Sequence, residues 1–444
     1  MNRPTHIPGK PFIGKTKDIL ADPILFSAKL ALENLPLVSV KLPGRTLYVT
    51  ADADIVAEIL VKEADKFSRG ANYKRLALVG GNGLITSEGE FWKRQRRLAQ
   101  PGFHKERING FLKTFIQLAE DMDARWDKMK GQNIVMSDEM SRFTLKAVGI
   151  TLFSNDIEAE HPDFPQYIRA LLRFINLRHY QMIRFPIHWP TPSNKRFRKQ
   201  LDYLNSIIYN QIDRRESSGK EYHDLLDMFL SQIDEETGEQ MSREHIRNEF
   251  FTMVAAGYET SSVALTWTWY MLNQEPKYAA KVYEEMDRVI GSGPVLPEHL
   301  PQLVYTKMFV QETMRVYPPV FAIPRSIKDD MELGGFQLKG KQPILITLYG
   351  LNRNPAYWNN PEEFNPENFS EEAKQKRHKH AYLPFGSGQR MCIGSEFAMY
   401  EIMALLAVLA RKYRPKPRPG YVPKMLASIA TNVTEGMPMI LETE

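Results

Sequence analysis

The chain has 444 residues, a formal net charge of +5, 43% apolar residues and 25% charged residues, as in ordinary soluble globular proteins. Its single cysteine excludes an intramolecular disulfide and any CxxC or zinc pattern, and suits a reducing cytoplasm. The charge is too mild and scattered for a nucleic-acid binder. No run of about twenty apolar residues spans a membrane, and the proline-interrupted start lacks an apolar signal-peptide region.

Pro4 to Pro23 reads as an irregular lead-in. Val38, Val40 and Leu42 then alternate, Pro43-Gly44-Arg45 forms a turn, and Thr46 to Thr50 resumes the strand, which predicts a β-hairpin. Asp52 to Glu63 has helical spacing through Ile55, Val56, Ile59 and Leu60. Gly70, Gly80, Gly81 and Gly83 predict a loop from Phe67 to Ile85. Helical patterns follow from Glu88 to about Lys130 and from Asp138 to Phe153. His161 to Lys195 is aromatic and broken by proline. Further helices are predicted over Arg196–Arg215 and Tyr222–Gln232.

Ser242 is an N-cap candidate for a helical pattern that runs to Pro276, roughly 48 Å at about 1.5 Å per residue. It is apolar on most sides from Phe250 to Leu272, so it is predicted to be buried all round. A buried helix of that length must cross the whole molecule, which predicts one domain over 1–444. Pro297 to Val316 gives another helix, ended by Pro318-Pro319. Short strands are predicted over Pro324–Thr347, a proline-broken meander over Asn352–Phe369, and a helix from Ser395 to about Arg411. The tail has turns and a final short hairpin. The fold class is mainly α with a minor β part.

The lone cysteine, Cys392, lies in Phe385-Gly386-Ser387-Gly388-Gln389-Arg390-Met391-Cys392-Ile393-Gly394. A lone buried cysteine usually packs as a small hydrophobe. Here glycines bracket the sulfur, Arg390 stands two residues before it, and a helix begins just after Gly394. Backbone N–H donors and the positive end of that helix favour a thiolate. A thiolate in such a loop suits a soft metal centre, haem iron among them.

This decapeptide resembles the haem-binding signature of the cytochrome P450 superfamily, Phe-x-x-Gly-x-Arg-x-Cys-x-Gly, at every fixed position. The resemblance extends along the chain in the family's motif order. It implies a single P450 domain with haem b between the long buried helix and the cysteine-loop helix. It further implies that Cys392 ligates the iron and that Phe385, Arg390 and Gly394 contact the haem. His104 and His380 are the other candidate ligands, and neither has a comparable loop.

Glu312 and Arg315, at i and i+3, share a helix face and can pair; as an exposed pair they would contribute about 0–1 kcal/mol. They resemble the family's Glu-x-x-Arg, which implies a brace for the haem-side core. The family often completes that brace with Arg in Pro-Glu-Arg-Phe. This chain has Pro366-Glu367-Asn368-Phe369, and Asn can hydrogen-bond but cannot pair ionically, so Asn368 is expected to face Glu312 or Arg315.

Ala256-Gly257-Tyr258-Glu259-Thr260 interrupts the long apolar helix. Glycine costs roughly 1 kcal/mol against alanine in a helix interior, and a buried acid needs partners or water. The group resembles the family's Ala-Gly-x-Glu/Asp-Thr, where the helix opens beside the haem. That implies Ala256 and Gly257 at the cofactor, Thr260 hydrogen-bonding to dioxygen and Glu259 feeding protons. Trp92 and Arg96, at i and i+4, resemble the family's Trp-x-x-x-Arg. With Arg325 and Arg390 the resemblance makes them four donors for two haem propionates.

The family lines its substrate pocket where this chain has Leu76, Leu78, Leu84, Ile85, Phe251, Ala255, Val320, Ile323 and Thr431, which implies a hydrophobic substrate. Arg45 and Tyr48 fall where some fatty-acid hydroxylases hold a carboxylate. The implied reaction is a monooxygenation with electrons from a separate ferredoxin, flavodoxin or diflavin reductase. A peroxide-driven peroxygenase and a non-catalytic haem sensor or carrier are the alternatives. Lys93, Arg94 and Arg97 near Trp92, and Lys374, Lys376, Arg377 and Lys379 before the cysteine loop, are expected to dock an acidic donor.

Overall fold

The computed structural model describes residues 2–10, 14–32, 36–180 and 185–444. Parts of two stretches read as irregular, 11–13 and 181–184, lie outside the described residues. The helices that carry the site are α1 (Ala71–Gly80), α2 (Gly89–Ala99), α3 (Lys105–Asp127), α4 (Met136–Phe153), α5 (Phe164–Tyr180), α6 (Pro192–Ser218), α7 (Arg243–Gln274), α8 (Val304–Val316) and α9 (Ser395–Leu409).

Helix α7 organises the rest. The Ser242 hydroxyl accepts from His245 N–H, capping its start, and from Phe250 to Leu272 most of its residues are buried. It packs most extensively against α4 and also touches α1, α6, α8 and α9. At its C-terminal half Trp269 packs on Trp126 of α3 (5.6 Å between rings), and Trp267 stacks flat on Tyr317 at 3.8 Å. These rings belong to one large core that also takes in α9. Most of α9 is buried too, against α3.

The β part is small. Strands β1 (Thr5–Ile7), β2 (Val38–Leu42), β3 (Arg45–Thr50), β4 (Phe67–Ser68), β5 (Ala322–Ile327) and β6 (Pro343–Thr347) form one sheet in the order β1-β2-β3-β6-β5-β4. The predicted hairpin is β2–β3, antiparallel with Leu42 opposite Arg45. Strand β3 then runs parallel to β6. The tail forms the antiparallel pair Met425–Leu426 with Asn432–Val433.

Three helices depart from the sequence reading. Helix α1 occupies the predicted loop because its glycines bound it: Gly70 (φ 77°) precedes it and Gly81 (φ 52°) ends it, both in the left-handed region that favours glycine. Pro276 starts a new helix, Pro276–Ile290, at the first position, where its missing N–H costs nothing. The predicted Pro297–Val316 helix is a 3₁₀ stretch, Pro297–Gln302, followed by α8, since Pro301 cannot donate within it.

Candidate active site

The loop before α9, the middle of α7, α1 with the loop after it, and β5 enclose one cavity of about 620 Å³. Cys392 lines it from one side, and Ala256, Gly257, Glu259 and Thr260 line it from α7. Cys392 N–H donates to Phe385 C=O at 2.8 Å, closing the loop around the sulfur. Gly388 (φ 69°) crosses Leu60 so closely that a Cβ there would lie 2.2 Å from its carbonyl oxygen. Burial pushes the Cys392 thiol above its ordinary value, while Gly394 N–H and the Arg96 charge pull it down. The helix end is therefore not the dominant influence expected from sequence.

Trp92, Arg96, Arg325 and Arg390 all line this cavity, and so does Arg69, which the motif reading missed. The Arg390 guanidinium lies 3.7 Å over the Trp92 ring and donates to Ser87 C=O at 3.0 Å. Burial, then the neighbouring Arg69 and Arg325, push Arg390 down to about 9. Arg69 Nε is buried without a hydrogen-bond partner among the described residues. Arg96 donates to Gln100 and to Met391 C=O. Cations gathered this closely call for an anion. Nothing in the sequence marked Arg69; the pairing of Phe67–Ser68 with Ser326–Ile327 brings it beside Arg325.

The chemistry fits haem. One cysteine thiol at the cavity suits an iron whose remaining ligands belong to a macrocycle. The guanidinium cluster suits its carboxylates, and the walls between are largely apolar. Residues that would hold it are Cys392, Trp92, Arg69, Arg96, Arg325 and Arg390. His104 is exposed at the start of α3, and His380, although buried, is outside the cavity lining.

The Glu312–Arg315 pair is completely buried. It is bidentate at 2.7 and 2.8 Å, and Arg315 also donates to the carbonyls of Asn352, Pro361 and Glu363. Asn368 Nδ2 donates to Glu312 Oε1 at 3.1 Å, and Asn365 N–H donates to the same oxygen at 2.7 Å. The missing third charge stands nearby. Arg377 donates to Asn368 C=O at 2.7 Å and lies over Trp358 (4.1 Å) and Phe369 (5.0 Å).

On α7, Thr260 Oγ donates to Ala256 C=O at 2.6 Å, and Thr144 of α4 donates to Tyr258 C=O at 2.9 Å. The helix stays continuous. Gly257 serves close packing, since a Cβ there would lie 3.0 Å from Val148 Cγ2. Glu259 Oε1 accepts from Asn432 Nδ2 at 3.2 Å, whereas Oε2 is enclosed with no partner among the described residues. Burial pushes this carboxyl up to about 7, against the Asn432 hydrogen bond.

Leu76, Leu84, Ile85, Ala255, Val320 and Ile323 line the cavity. The other expected pocket residues do not. Leu78 packs against the main core, Phe251 is held under Arg247 (4.5 Å) and beside Phe250, and Thr431 lines a second cavity. Strand alternation explains another departure: Leu47 and Val49 line the cavity, whereas the Tyr48 hydroxyl accepts from Lys339 N–H at 3.3 Å. Arg45 is exposed at the strand start, outside the lining. The expected docking charges are mostly spent on acids. Arg94 and Arg97 pair with Asp234, Glu236 and Glu239, and Lys93, Lys374 and Lys376 pair with Glu90, Glu371 and Glu372. Of the whole set, Arg377 is stacked inward, and Lys379 alone has neither an acidic nor an aromatic partner among the described residues.

The cytochrome P450 family model matches residues 4–434. Cyclooctatin synthase of Streptomyces melanosporofaciens is 32% identical over 417 residues, covering 93% of this chain and 90% of that protein. Cyclooctat-9-en-7-ol 5-monooxygenase of the same organism is 29% identical over 415 residues, covering 92% and 89%. The crystal structure of the cytochrome P450DA haem domain superposes with a TM-score of 0.90 at 25% identity, over 100% of this chain and 98% of that one. Among the described residues no helix is long and apolar enough to cross a membrane. Sequence, fold and cavity agree: the chain belongs to the cytochrome P450 family and is a haem-containing P450 monooxygenase.

Proposed function

We propose that this enzyme inserts one atom of dioxygen into a hydrophobic organic substrate, with haem b held by Cys392 and two electrons from a separate donor protein. One observation carries the reading: Cys392 and the Glu259–Thr260 pair line the same cavity. When bound, the haem supplies the dioxygen activation and the oxygen insertion. The chain supplies the rest. Arg69, Arg96, Arg325, Arg390 and Trp92 fix the cofactor's acidic edge. Phe385 and Gly394 shape the loop around the sulfur. Leu76, Leu84, Ile85, Ala255, Val320 and Ile323 exclude water from the substrate and orient it.

The Thr260 hydroxyl, already donating to Ala256 C=O, retains lone pairs that can accept a hydrogen bond from a proton-bearing group on the Glu259 side. Glu259, neutral or ionised near physiological pH, can take up a proton and give it away. A peroxide-driven enzyme would not require this pair. The test is a spectral binding screen with fatty acids, terpenes and steroids, followed by turnover with NADPH, a ferredoxin reductase and a ferredoxin. Substrate-dependent NADPH consumption and an oxygenated product are expected. Turnover with hydrogen peroxide alone would overturn the donor assignment.

A further inference from the structure

A second cavity, of about 590 Å³, lies between α4, α5, α7 and the tail hairpin. It shares only Asn176 and Glu259 with the haem cavity. That partition is tied in place: Asn176 Nδ2 donates to Ser428 Oγ at 2.7 Å and its Oδ1 accepts from Ile429 N–H at 3.2 Å. The rim belongs to α5. Gln166, Arg169 and Arg173, at i, i+3 and i+7, fall on one face of that helix, line the cavity and are exposed. Neither arginine has a hydrogen bond or an ion pair among the described residues. Asp138 of α4 is exposed at the same rim and pairs with neither. The floor is different. Leu172, Val263, Trp267 and Val433 are buried there and apolar. Thr431, 1% exposed, belongs to the same wall. Its N–H donates to Pro319 C=O at 2.7 Å, whereas its Oγ has no partner among the described residues.

Unpaired guanidinium groups at a rim recognise the acidic head of a ligand through charge-assisted hydrogen bonds. The volume falls within the range of small-molecule sites, about 300–1,000 Å³, and exceeds what an inorganic anion fills. Such an ion would also leave the apolar floor and the Thr431 hydroxyl uncovered. We propose that this cavity is a binding site for an amphipathic organic anion, separate from the haem cavity. Its acidic head pairs with Arg169 and Arg173, and its apolar body lies on Val263 and Trp267. A polar group on that body can reach Thr431 Oγ. Because the partition at Asn176 and Glu259 stands between the two cavities, this ligand and one in the haem cavity can be bound at the same time. The site does not depend on the reaction that the haem carries out.

The test uses the haem-loaded enzyme with its first cavity occupied by 4-phenylimidazole, an azole that ligates haem iron. The probe is 8-anilinonaphthalene-1-sulfonate, an anion with an apolar body, followed by its fluorescence. One saturable site per chain is expected to remain in the presence of the azole. Arg169→Ala combined with Arg173→Ala should raise the dissociation constant by about tenfold or more, equivalent to about 1.4 kcal/mol. N-Phenyl-1-naphthylamine has the same rings without the sulfonate and should bind the wild type more weakly by a similar factor. Ala170→Trp, which fills the cavity from α5, should remove the site. Equal affinity of the double variant and the wild type would overturn the proposal, and so would loss of the probe on adding the azole. If the double variant does not retain haem, Arg173→Gln alone is judged by the same criterion.

Discussion

The two walls of the haem cavity are built on opposite principles. Behind Cys392 the Glu312–Arg315 pair is fully matched. Arg315, fully buried, makes five hydrogen bonds to Glu312 and to three carbonyls, and Asn365 and Asn368 fill the free side of Glu312. Along α7 the polar groups are left short: Glu259 Oε2 and Thr252 Oγ, with Thr431 Oγ nearby, have no partner among the described residues. Each such atom costs about 1–3 kcal/mol if it stays dry. A saturated wall fixes a ligand in one geometry; an unsaturated wall retains room for water and protons. The matched ion pair sits behind the cysteine, and the unpartnered Glu259 oxygen sits on α7.

The difference is sharpest at the sulfur. Cys392→Ser removes the only thiolate donor, so the ferrous–CO absorption band typical of the family should vanish and turnover should fall to background. A surviving band would mean that the iron has another ligand. The brace behind the loop comes next. Glu312→Gln leaves the Arg315 charge buried and unmatched, a change that costs about 3–5 kcal/mol in comparable sites. The expected result is a large fall in denaturant midpoint together with weak haem retention. A variant with unimpaired stability and haem content would show that the carbonyl contacts of Arg315 suffice.

The α7 wall should respond to pH rather than to packing. Glu259 has a folded pKa of about 7 against an ordinary 4.5. Its folded form therefore favours the neutral acid, and stability is fullest below about 4.5 and is lost as pH rises through 7. At one pKa unit per roughly 1.36 kcal/mol the loss reaches about 3 kcal/mol. Glu259→Gln should be indistinguishable from wild type near pH 4 and more stable at pH 8. Burial also pushes Glu249 and Glu401 up to about 8, but both remain in the variant, so the difference curve isolates Glu259. A flat difference curve would mean that water already solvates this carboxylate.

Thr260→Val should act on the same wall without touching haem or substrate binding. It keeps the shape and removes the hydroxyl. Product formed per NADPH consumed is expected to drop by about tenfold, equivalent to about 1.4 kcal/mol, with hydrogen peroxide making up the balance. Unchanged coupling would place the proton route elsewhere.

How much of this was legible in the sequence follows the same division. The cysteine loop, the Glu312–Arg315 pair and the span of α7 could be read because each depends on residues close together in the chain, at turn or helix spacing. What escaped depends on distant segments. Helix α1 was hidden because the glycines that bound it look like a loop until their φ angles are known. Arg69 joined Arg390 only once β4 had paired with β5. Asn432, 173 residues beyond Glu259, carries no local mark at all. Alternation along β3 was visible, but which face meets the cavity depends on the pairing with β6, and so Leu47 and Val49 took the place assigned to Tyr48.

The smallest effect concerns the surface, where sequence and structure part most clearly. Arg97 looks in the sequence like a docking charge beside Trp92. In the fold it reaches Asp234 at 3.2 Å and Glu236 at 2.8 Å and is 39% exposed at its side chain, with Arg94 completing the same cluster. Its field is largely cancelled before a partner could sense it, and exposed pairs of this kind contribute about 0–1 kcal/mol. Lys379 has no such acid among the described residues. Electron transfer from an acidic ferredoxin at low salt should therefore slow with Lys379→Glu and hardly change with Arg97→Gln, and the Lys379 effect should fade as added salt screens it. Rates of haem reduction measured by stopped flow across a salt series would decide. Slowing by Arg97→Gln equal to that of Lys379→Glu would mean that the acidic loop around Asp234 yields when a donor docks.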